Sequence, residues 1–239
     1  MKPYRVLIID DERLAREEMK RHLLAYPEYE VVGEAADADE AETMINTLHP
    51  HLIFLDIQMP ERSGFELLES LDQVPEVIFT TAFDQYAVQA FDTHALDYLV
   101  KPVREERFAR AIEKIRVKMA TRTDARETQS LSHTLFIKEG EQYHFIQVKD
   151  IYLIESTGNY ARLFYANRKV YIKRSLNQLE KTLDPALFFR TSRTNLINTN
   201  FIKQVQPITG GRLLISLQTG EDLTVSSRQS AVFKNRNKL

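Results

Sequence analysis

The chain has 239 residues, 43% of them hydrophobic, which excludes a wholly disordered protein and allows two ordinary domains or one large one. It has no cysteine, which excludes disulfides and cysteine-based zinc or redox sites and suits a reducing cytoplasm. Residues 1–120 carry 14 Lys and Arg against 24 Asp and Glu, a net charge of −10, whereas the remainder carries 18 against 10, a net charge of +8. This asymmetry predicts an acidic domain joined to a basic one, and a basic domain is a candidate for binding nucleic acid.

The apolar runs of the sequence are all short. The first of them, at residues 6–9, is too short before its acidic residues to be part of a secretory signal peptide. No run approaches the stretch of about 20 apolar residues that a membrane span needs. We therefore expect a soluble cytoplasmic protein without membrane insertion.

Short apolar runs alternate with amphipathic helical patterns over residues 1–119. Strands are predicted at 6–9, 31–33, 52–55, 77–81 and 95–100, and helices at 13–26, 38–48, 64–71, 86–91 and 108–119. Strands and helices that alternate at this spacing are joined by right-handed crossovers, which produces a parallel sheet covered on both faces. The first domain is therefore predicted to be a doubly wound α/β domain with a five-stranded parallel sheet.

Charged and hydroxyl-bearing residues that could form a binding or catalytic site lie at or just after the ends of the predicted strands. They are Asp10 and Asp11 after the first strand, Asp56 after the third, Thr81 at the end of the fourth and Lys101 after the fifth. Functional groups of a parallel α/β sheet gather outside the carboxyl ends of its strands, so these residues are expected to converge. Three carboxylates about 4 Å apart repel one another by about 4 kcal/mol per pair at an effective dielectric near 20, so the cluster needs a cation. Oxygen ligands favour Mg²⁺, which commonly serves phosphoryl groups.

Asp56 is the expected phosphoryl acceptor of this cluster. A carboxylate nucleophile can accept the group while a metal ion and Lys101 neutralise charge on its oxygens and Thr81 donates from its hydroxyl. Gln58 supplies no general acid two residues after Asp56, so acceptance with at most slow autodephosphorylation is favoured over turnover. Taken singly, acids before a helix are more often caps and a Lys-Pro pair is more often a turn, and it is the joint spacing that favours a site.

A set of motifs spans about residues 1–120. They are Asp10-Asp11, Asp56, Met59-Pro60, Gly64, Thr81-Ala82, Tyr98 and Lys101-Pro102. Together they resemble the receiver domain of two-component response regulators, which has a flavodoxin-like fold. The resemblance implies an aspartyl phosphate at Asp56 donated by a sensor histidine kinase, with Mg²⁺ held by Asp11, Asp56 and the backbone carbonyl of Gln58, and with Asp10 as a supporting acid.

The same resemblance implies how the phosphorylated state is transmitted. It implies that Thr81 and Tyr98 act as a switch pair and that the Lys101–Pro102 peptide is cis. It also implies a homodimer of the phosphorylated protein, formed through the helix predicted at 86–91, the fifth strand and the helix that follows.

The sequence changes character after residue 119. Residues 120–134 have no apolar periodicity and are predicted to be a flexible polar linker. Strand-like runs then occur at 135–137, 151–154, 163–165, 170–172, 213–217 and 223–225, separated by turn signals. One short helix is predicted after Ser175, with Leu176, Leu179 and Leu183 on one face. The domain from 135 to 239 is therefore predicted to be mostly β.

The second domain has no helix-turn-helix pattern, so DNA bases would be read from loops and strand ends. Candidates for base contacts are polar residues beside turns, namely Asn159, Tyr160, Arg193, Asn195 and Arg228. Candidates for contacts to backbone phosphates are Lys169, Lys173, Arg174 and Arg190. Taken alone, a single Arg or Lys is about as often a solvated surface charge.

Further motifs lie in the second half of the chain. They are Gly158-Asn159-Tyr160, Ser175-Leu176 with Leu179-Glu180, the run from Phe189 to Asn198, and Val225-Ser226-Ser227-Arg228. Together they resemble the LytTR DNA-binding domain, which implies loops that enter successive major grooves of double-stranded DNA, with base contacts from Tyr160, Arg193 and Arg228. Ser192 and Asn195 differ from a pattern that often has His and an aromatic residue, which bears on the bases read rather than on the domain type.

These features lead to one interpretation of the whole chain. It is a transcriptional response regulator in which phosphorylation of Asp56 brings two basic β domains onto paired DNA half-sites. The residues also leave open a switch whose β domain binds a protein or RNA, which the absence of sequence-selective DNA binding would favour. A metal-dependent phosphohydrolase is less favoured, and sustained turnover of a phosphomonoester would support it.

Overall fold

The computed structural model describes residues 3–82, 97–123, 134–140 and 142–237. The chain divides into two compact units, one formed by residues 1–129 and 133–145 and the other by residues 130–132 and 146–239. The helix predicted at 86–91 and most of the predicted linker lie outside the described residues. The domain boundaries inferred from the sequence stay predictions, although by compactness the first unit reaches residue 145. Within the described ranges, none of the helices combines the length and the apolar character that spanning a bilayer requires.

The first unit is built on a parallel β-sheet. Within the described residues its strands are β1 (Tyr4–Ile9), β2 (Tyr29–Ala35), β3 (Leu52–Asp56), β4 (Glu76–Thr81) and β5 (Asp97–Val100), in the order β2-β1-β3-β4-β5. The central strands are apolar runs because both faces of the sheet are covered, and every residue of β3 is buried. The register places Asp56 of β3 opposite Thr80 of β4. The predicted doubly wound α/β fold is thus confirmed.

Four helices are described in the first unit. They are α1 (Arg13–Leu23), α2 (Ala38–Leu48), α3 (Gly64–Ser70) and α4 (Glu105–Thr123). Helix α2 begins after Asp37, whose side chain accepts two backbone N–H groups of the first turn. Helix α3 begins with a capping box. The Ser63 hydroxyl accepts the backbone N–H of Glu66, and the Glu66 carboxylate accepts the backbone N–H of Ser63. This box fixes the point at which the loop after Asp56 ends.

A hairpin that follows the predicted linker contributes to the core of the first unit. Its strands are β6 (Thr134–Glu139) and β7 (Gln142–Gln147). Phe136 and Phe145 are buried in one cluster with Phe65 of α3 and Phe79 of β4. The rings of Phe136 and Phe145 meet edge-on at 4.8 Å, and the rings of Phe65 and Tyr143 stack at 4.7 Å. The hairpin residues up to 145 therefore cover an aromatic face beside α3.

The second unit is mostly β, as the sequence predicts. Within its described residues one antiparallel sheet has the order β10-β9-β8-β12-β11, formed by β8 (Ile151–Thr157), β9 (Tyr160–Tyr165), β10 (Arg168–Ile172), β11 (Phe188–Arg190) and β12 (Asn195–Asn198). A second antiparallel sheet has the order β13-β14-β15, formed by β13 (Ile202–Ile208), β14 (Arg212–Leu217) and β15 (Asp222–Val225). Helices α5 (Leu176–Thr182) and α6 (Ser227–Asn237) complete it. The predicted helix after Ser175 is α5, and Ser175 forms a capping box with Gln178.

The core of the second unit joins its two sheets. Strand β14 alternates between buried and more exposed residues, and it contributes Leu213, Ile215 and Leu217 to the core. Phe233 of α6 packs into the same core, where its ring meets that of Phe189 of β11 edge-on at 5.0 Å. This contact fixes α6 beside the end of β11.

Asp97 at the start of β5 is a buried acid held by two cations. Its carboxylate bonds to the guanidinium of Arg107 at 2.9 Å and to the ammonium of Lys114 at 3.0 Å, and its side chain is 3% exposed. Burial alone would raise the pKa of Asp97, but the hydrogen bonds from Arg107 and Lys114 outweigh burial and lower the pKa below 3.8. The lowered pKa means that the ionised carboxylate stabilises the folded state above pH 3.8 and that this stabilisation is lost as the pH falls through the folded-state pKa.

Replacing Asp97 by Asn should lower the free energy of unfolding by about 2–3 kcal/mol near neutral pH, because it leaves Arg107 and Lys114 without their buried partner. Urea unfolding of the wild type and of Asp97→Asn at about pH 7 and about pH 3 measures the difference. The difference should shrink at the lower pH, because the stabilisation from the ionised carboxylate decreases as the pH falls from 3.8 toward the lowered folded-state pKa. An equal difference at both pH values would contradict the role given to the charge.

Candidate functional site

Asp10, Asp56 and Lys101 form a buried triad at the carboxyl end of the parallel sheet. The ammonium of Lys101 lies 2.8 Å from Oδ2 of Asp10 and 2.7 Å from Oδ2 of Asp56. The side chains of Asp10, Asp56 and Lys101 are 2%, 7% and 16% exposed. Lys101 thus reaches the two acids although 45 positions separate it from Asp56 in the sequence.

The backbone around the triad holds each residue in place. Lys101 continues β5, and its N–H donates to the carbonyl of Thr81 at 2.8 Å. Asp56 ends β3, and its Oδ1 accepts the N–H of Gln58 at 3.2 Å. Gly64 allows α3 to approach this loop, because a Cβ at residue 64 would lie 2.3 Å from the carbonyl oxygen of Asp56. The loop after Asp56 is therefore closed tightly by the start of α3.

Burial and the short distances within the triad shift the pKa values of Asp10 and Lys101. Burial raises the pKa of the Asp10 carboxyl, and the hydrogen bond and charge of Lys101 offset only part of this effect. Burial would lower the pKa of Lys101, but hydrogen bonds and charge from Asp10 and Asp56 outweigh it and raise the pKa of the ammonium. Lys101 therefore stays charged between the two acids.

Asp11 adds a third carboxylate to the site. One oxygen from each of Asp10, Asp11 and Asp56 lies within 4.8 Å of the others, and Asp11 is exposed whereas the other two are buried. Lys101 supplies one positive charge against three ionised carboxylates, which leaves two negative charges. A set of carboxylate oxygens with this excess charge, open to solvent on the side of Asp11, has the chemistry of a divalent cation site that keeps waters.

Thr81 and Tyr98 lie on neighbouring strands beside the triad. Thr81 is fully buried at the end of β4, and Tyr98 is partly buried on β5, where it pairs with Phe79. Arg107 donates to the carbonyl of Tyr98 at 2.7 Å, and its guanidinium lies 5.8 Å from the centre of the Tyr98 ring. The Lys101–Pro102 peptide is cis, as the receiver resemblance implies.

Arg16 is a residue of this region that sequence reasoning missed. Its guanidinium donates to the backbone carbonyl of Asp10 at 2.6 Å and lies 3.4 Å from Glu34 of β2. It thereby fixes the backbone from which Asp10 and Asp11 project. An arginine in the first turns of an amphipathic helix looks like a solvated charge, so the sequence carries no signal for this role.

In the second unit, the loop of residues 191–195 is hydrogen-bonded to two other regions that the sequence predicts to contact DNA. The N–H of Ser226 donates to the carbonyl of Thr191 at 3.0 Å, directly before α6 and Arg228. The N–H of Ser156 donates to the carbonyl of Thr194 at 2.7 Å, close to the turn that carries Asn159 and Tyr160. These bonds bring the Tyr160 turn, the Arg193 loop and the start of α6 to one edge of the second unit.

The side chains at this edge differ in exposure. Asn159, Tyr160, Arg193 and Arg228 are exposed, and Asn195 is partly buried as the first residue of β12. Ser192 caps the loop, because its Oγ accepts the N–H groups of Thr194 and Asn195. Ser192, which differs from the family pattern, therefore closes the turn with its own hydroxyl.

The basic candidates fall into two groups. Lys173 and Arg174 follow the end of β10, where Ile172 pairs with Ala161, and so lie at the same edge as Tyr160. Lys169 is exposed on β10 but is paired with Phe164, three residues back from that end. The fourth candidate, Arg190, is hydrogen-bonded within the second unit.

Comparison with known proteins identifies both units. Residues 6–113 match the family model of the response regulator receiver domain, and residues 141–238 match that of the LytTr DNA-binding domain. The sensory transduction protein LytT of Enterococcus faecalis is 33% identical over 97% of this chain and 98% of its own length. The transcriptional regulatory protein LytR of Staphylococcus aureus is 30% identical over 96% of this chain and 97% of its own length. This chain belongs to the LytTR family of response regulators.

Family membership gives each unit of the response regulator a role. The first unit contains the receiver match, and the second contains all but the first few residues of the LytTR match, which begins at residue 141. The protein is therefore a transcriptional regulator of the two-component type, and phosphorylation-dependent control is implied. A receiver implies a kinase partner, and the LytTR domain implies DNA as a partner. The family is one of regulators rather than of classical enzymes.

Substitution of Gly64 by Ala tests the closure of the loop after Asp56. The added Cβ would overlap the carbonyl oxygen of Asp56, so the free energy of unfolding should fall by about 1–3 kcal/mol and phosphorylation by acetyl phosphate should slow. Gly33→Ala is the matched control, because a Cβ there meets only side-chain atoms at 3.2 Å or more. Urea unfolding and the rate of phosphorylation are measured for both variants. Wild-type stability and phosphorylation of Gly64→Ala would contradict the tight closure of this loop.

Proposed function

We propose that Asp56 accepts a phosphoryl group from a sensor histidine kinase, with Mg²⁺ bound beside it. Asp11, Asp56 and the backbone carbonyl of Gln58 would hold the ion, and Asp10 would support them. The observation that carries this proposal is the approach of three carboxylates within 4.8 Å, with an excess of two negative charges over Lys101. The bound ion supplies positive charge to the phosphoryl oxygens.

The reaction uses side chains that the strands deliver to one edge. A carboxylate oxygen of Asp56 forms a bond to phosphorus while the bond from phosphorus to the donor histidine nitrogen breaks. Lys101 already bonds to Asp56 at 2.7 Å, so its ammonium lies where it can bind an oxygen of the transferred group. The Thr81 hydroxyl then donates to another oxygen of that group.

Dephosphorylation of the receiver is proposed to be slow. Gln58 carries an amide where a nearby acid would help to activate an attacking water. Slow loss suits a regulator, because the phosphorylated state must persist while the protein binds DNA. A cytoplasmic location for these events likewise remains part of the proposal.

Phosphorylation is proposed to act through Thr81 and Tyr98 on a dimer of receivers. A bond from Thr81 to the phosphoryl group would favour one position of Tyr98, whose backbone and ring are contacted by Arg107. Two receivers would then associate through β5 and α4, together with the helix predicted at 86–91. The dimer would present two LytTR domains to paired half-sites on double-stranded DNA.

The edge of the second unit that carries the Tyr160 turn, the Arg193 loop and Arg228 is proposed to read the bases. Backbone hydrogen bonds from Ser156 and Ser226 hold these regions together, which supports their acting on one DNA segment. Asn159 and Asn195 would add contacts at the same edge. Lys173 and Arg174 would bind phosphates beside them, and Lys169 would do so farther along β10.

Replacing Asp56 by Asn should abolish phosphorylation of the receiver. The wild type treated with acetyl phosphate and Mg²⁺ should gain the mass of one phosphoryl group, which acid or hydroxylamine removes, whereas Asp56→Asn should gain none. Asp72→Asn, at an exposed acid away from the site, is the control and should be modified like wild type. Equal modification of Asp56→Asn and wild type would disprove the acceptor assignment.

Arg193→Ala and Arg228→Ala should each weaken binding to a selected DNA fragment by about 5- to 150-fold, as expected for loss of a bidentate base contact. Binding to random duplex should change far less, because a base contact carries sequence information. Lys149→Ala is a control, because Lys149 is exposed two residues before β8 begins, at the opposite end of that strand from Ser156. Equal losses on selected and random DNA would make the two arginines phosphate contacts.

A further inference from the structure

Arg190 is the last residue of β11 and directly precedes the 191–195 loop. Its side chain is 13% exposed and forms hydrogen bonds on three sides. Nε donates to the carbonyl of Ser192 at 2.7 Å, and Nη2 donates to the carbonyl of Arg193 at 2.7 Å. Nη1 donates to the carboxylate of Glu180 at 2.9 Å and to the amide oxygen of Asn177 at 3.2 Å. Arg190 thus joins the loop to helix α5.

These bonds use most of the donor capacity of the side chain. A guanidinium has five N–H groups in a fixed planar fork, and the four bonds to described residues occupy four of them. Two bonds go to consecutive carbonyls from different nitrogens of the planar fork, while the third nitrogen bonds to Glu180 and Asn177 of α5. A side chain engaged in this way has little capacity left for a DNA phosphate.

The 191–195 loop is held at its ends by backbone bonds, it is closed internally by Ser192, and Arg190 binds its apex. Ser226 binds the carbonyl of Thr191 and Ser156 binds that of Thr194, and Ser192 closes the turn through its Oγ. The two remaining carbonyls at the apex are those of Ser192 and Arg193, and both accept hydrogen bonds from Arg190. Arg190 therefore binds both carbonyls that flank the start of the segment from which the exposed Arg193 side chain projects, and it helps to fix this backbone.

We propose that Arg190 is a positioning residue for base recognition and that Glu180, by holding Arg190, takes part in DNA sequence discrimination without touching DNA. The proposal rests on the proposed function, in which Arg193 contacts bases. Although its residue type suggests a phosphate contact, in this proposal Arg190 does not bind a DNA phosphate but affects sequence specificity indirectly through the 191–195 loop. Arg190 holds the loop in the shape that Arg193 needs, and α5 holds Arg190.

Substitution of Glu180 provides a test, because its effect on charge and its effect on the position of Arg190 should change the affinity for the selected DNA in opposite directions. Glu180→Gln removes one negative charge from the second unit, and charge alone would tighten binding to every DNA. Loss of the carboxylate that holds Arg190 would instead loosen the 191–195 loop and weaken only sequence-selective binding. Glu180 is about half exposed on α5, so the glutamine variant is expected to fold normally.

The experiment measures the affinity of the full-length protein for a selected genomic fragment and for random duplex over a series of salt concentrations. Glu180→Gln should bind the selected fragment about threefold or more weakly and random duplex no more weakly than wild type. Arg190→Met should lose about tenfold or more on the selected fragment, while its salt dependence on random duplex stays like that of wild type. Arg190→Lys should not rescue, because an ammonium cannot bridge the two carbonyls and Glu180.

A phosphate contact at Arg190 would give a different pattern. Arg190→Met would lose affinity for both DNAs with a fall of about 0.9 in the salt slope, Arg190→Lys would restore most of the binding, and Glu180→Gln would bind more tightly. This pattern would overturn the proposal, as would unchanged discrimination by Glu180→Gln. Arg174→Ala serves as the comparison for a phosphate contact. If wild type shows no preference for any selected fragment, the proposed function itself fails, which is distinguishable from failure at Arg190.

Discussion

Lys101 bonds to the carboxylates of Asp10 and Asp56 at 2.8 and 2.7 Å, and this buried triad constrains the rest of the receiver. Two acids at the ends of fully buried strands are costly to ionise, and burial raises the pKa of Asp10 even beside the lysine. The site therefore requires β1, β3 and β5 to end at one edge in fixed register. The excess of carboxylates over Lys101 favours binding of an additional cation beside Asp11.

The same constraint explains why the receiver site can serve as a switch. The loop after Asp56 is closed by Gly64 and the α3 capping box, so new charge at Asp56 cannot be relieved by motion of the nearest backbone alone. Under the proposed phosphorylation, the change in charge would fall instead on Lys101, Thr81 and the neighbouring strands β4 and β5. The local change in electrostatics would in this way be directed toward the strand that carries Tyr98.

In the proposed function, the second unit contacts DNA bases through loops rather than through a recognition helix. Its strands fix the ends of those loops, and hydrogen bonds between loop backbones make a single edge from segments that are about 70 residues apart in sequence. A loop that reads bases has to be rigid, because ordering it upon binding would cost conformational entropy. The engagement of Arg190 with two loop carbonyls supplies such rigidity.

The sequence predicts the receiver fold well because its strands are apolar runs and its helices carry clear stripes. Strands β7, β11, β12 and β13 and helix α6 were not predicted. Strand β13 has little apolar alternation, and Phe233 is the one large side chain that α6 buries among its described residues. The packing of Phe136 and Phe145 against Phe65 could not be predicted either, because an apolar face in a hairpin does not reveal what covers it. Arg190 illustrates the same limit, since its type suggests a phosphate contact and only its surroundings reveal the bonds to Ser192 and Arg193.

Phosphorylation of the receiver is proposed to control sequence-selective DNA binding by the LytTR domain. The most direct measurement is selection of genomic DNA fragments by the purified full-length protein, with and without acetyl phosphate and Mg²⁺, alongside Asp56→Asn. The selected fragments should share a repeated sequence motif, and their enrichment should rise on phosphorylation of wild type but not for Asp56→Asn. Fragments without a shared motif, or the same rise for Asp56→Asn as for wild type, would contradict the proposed control.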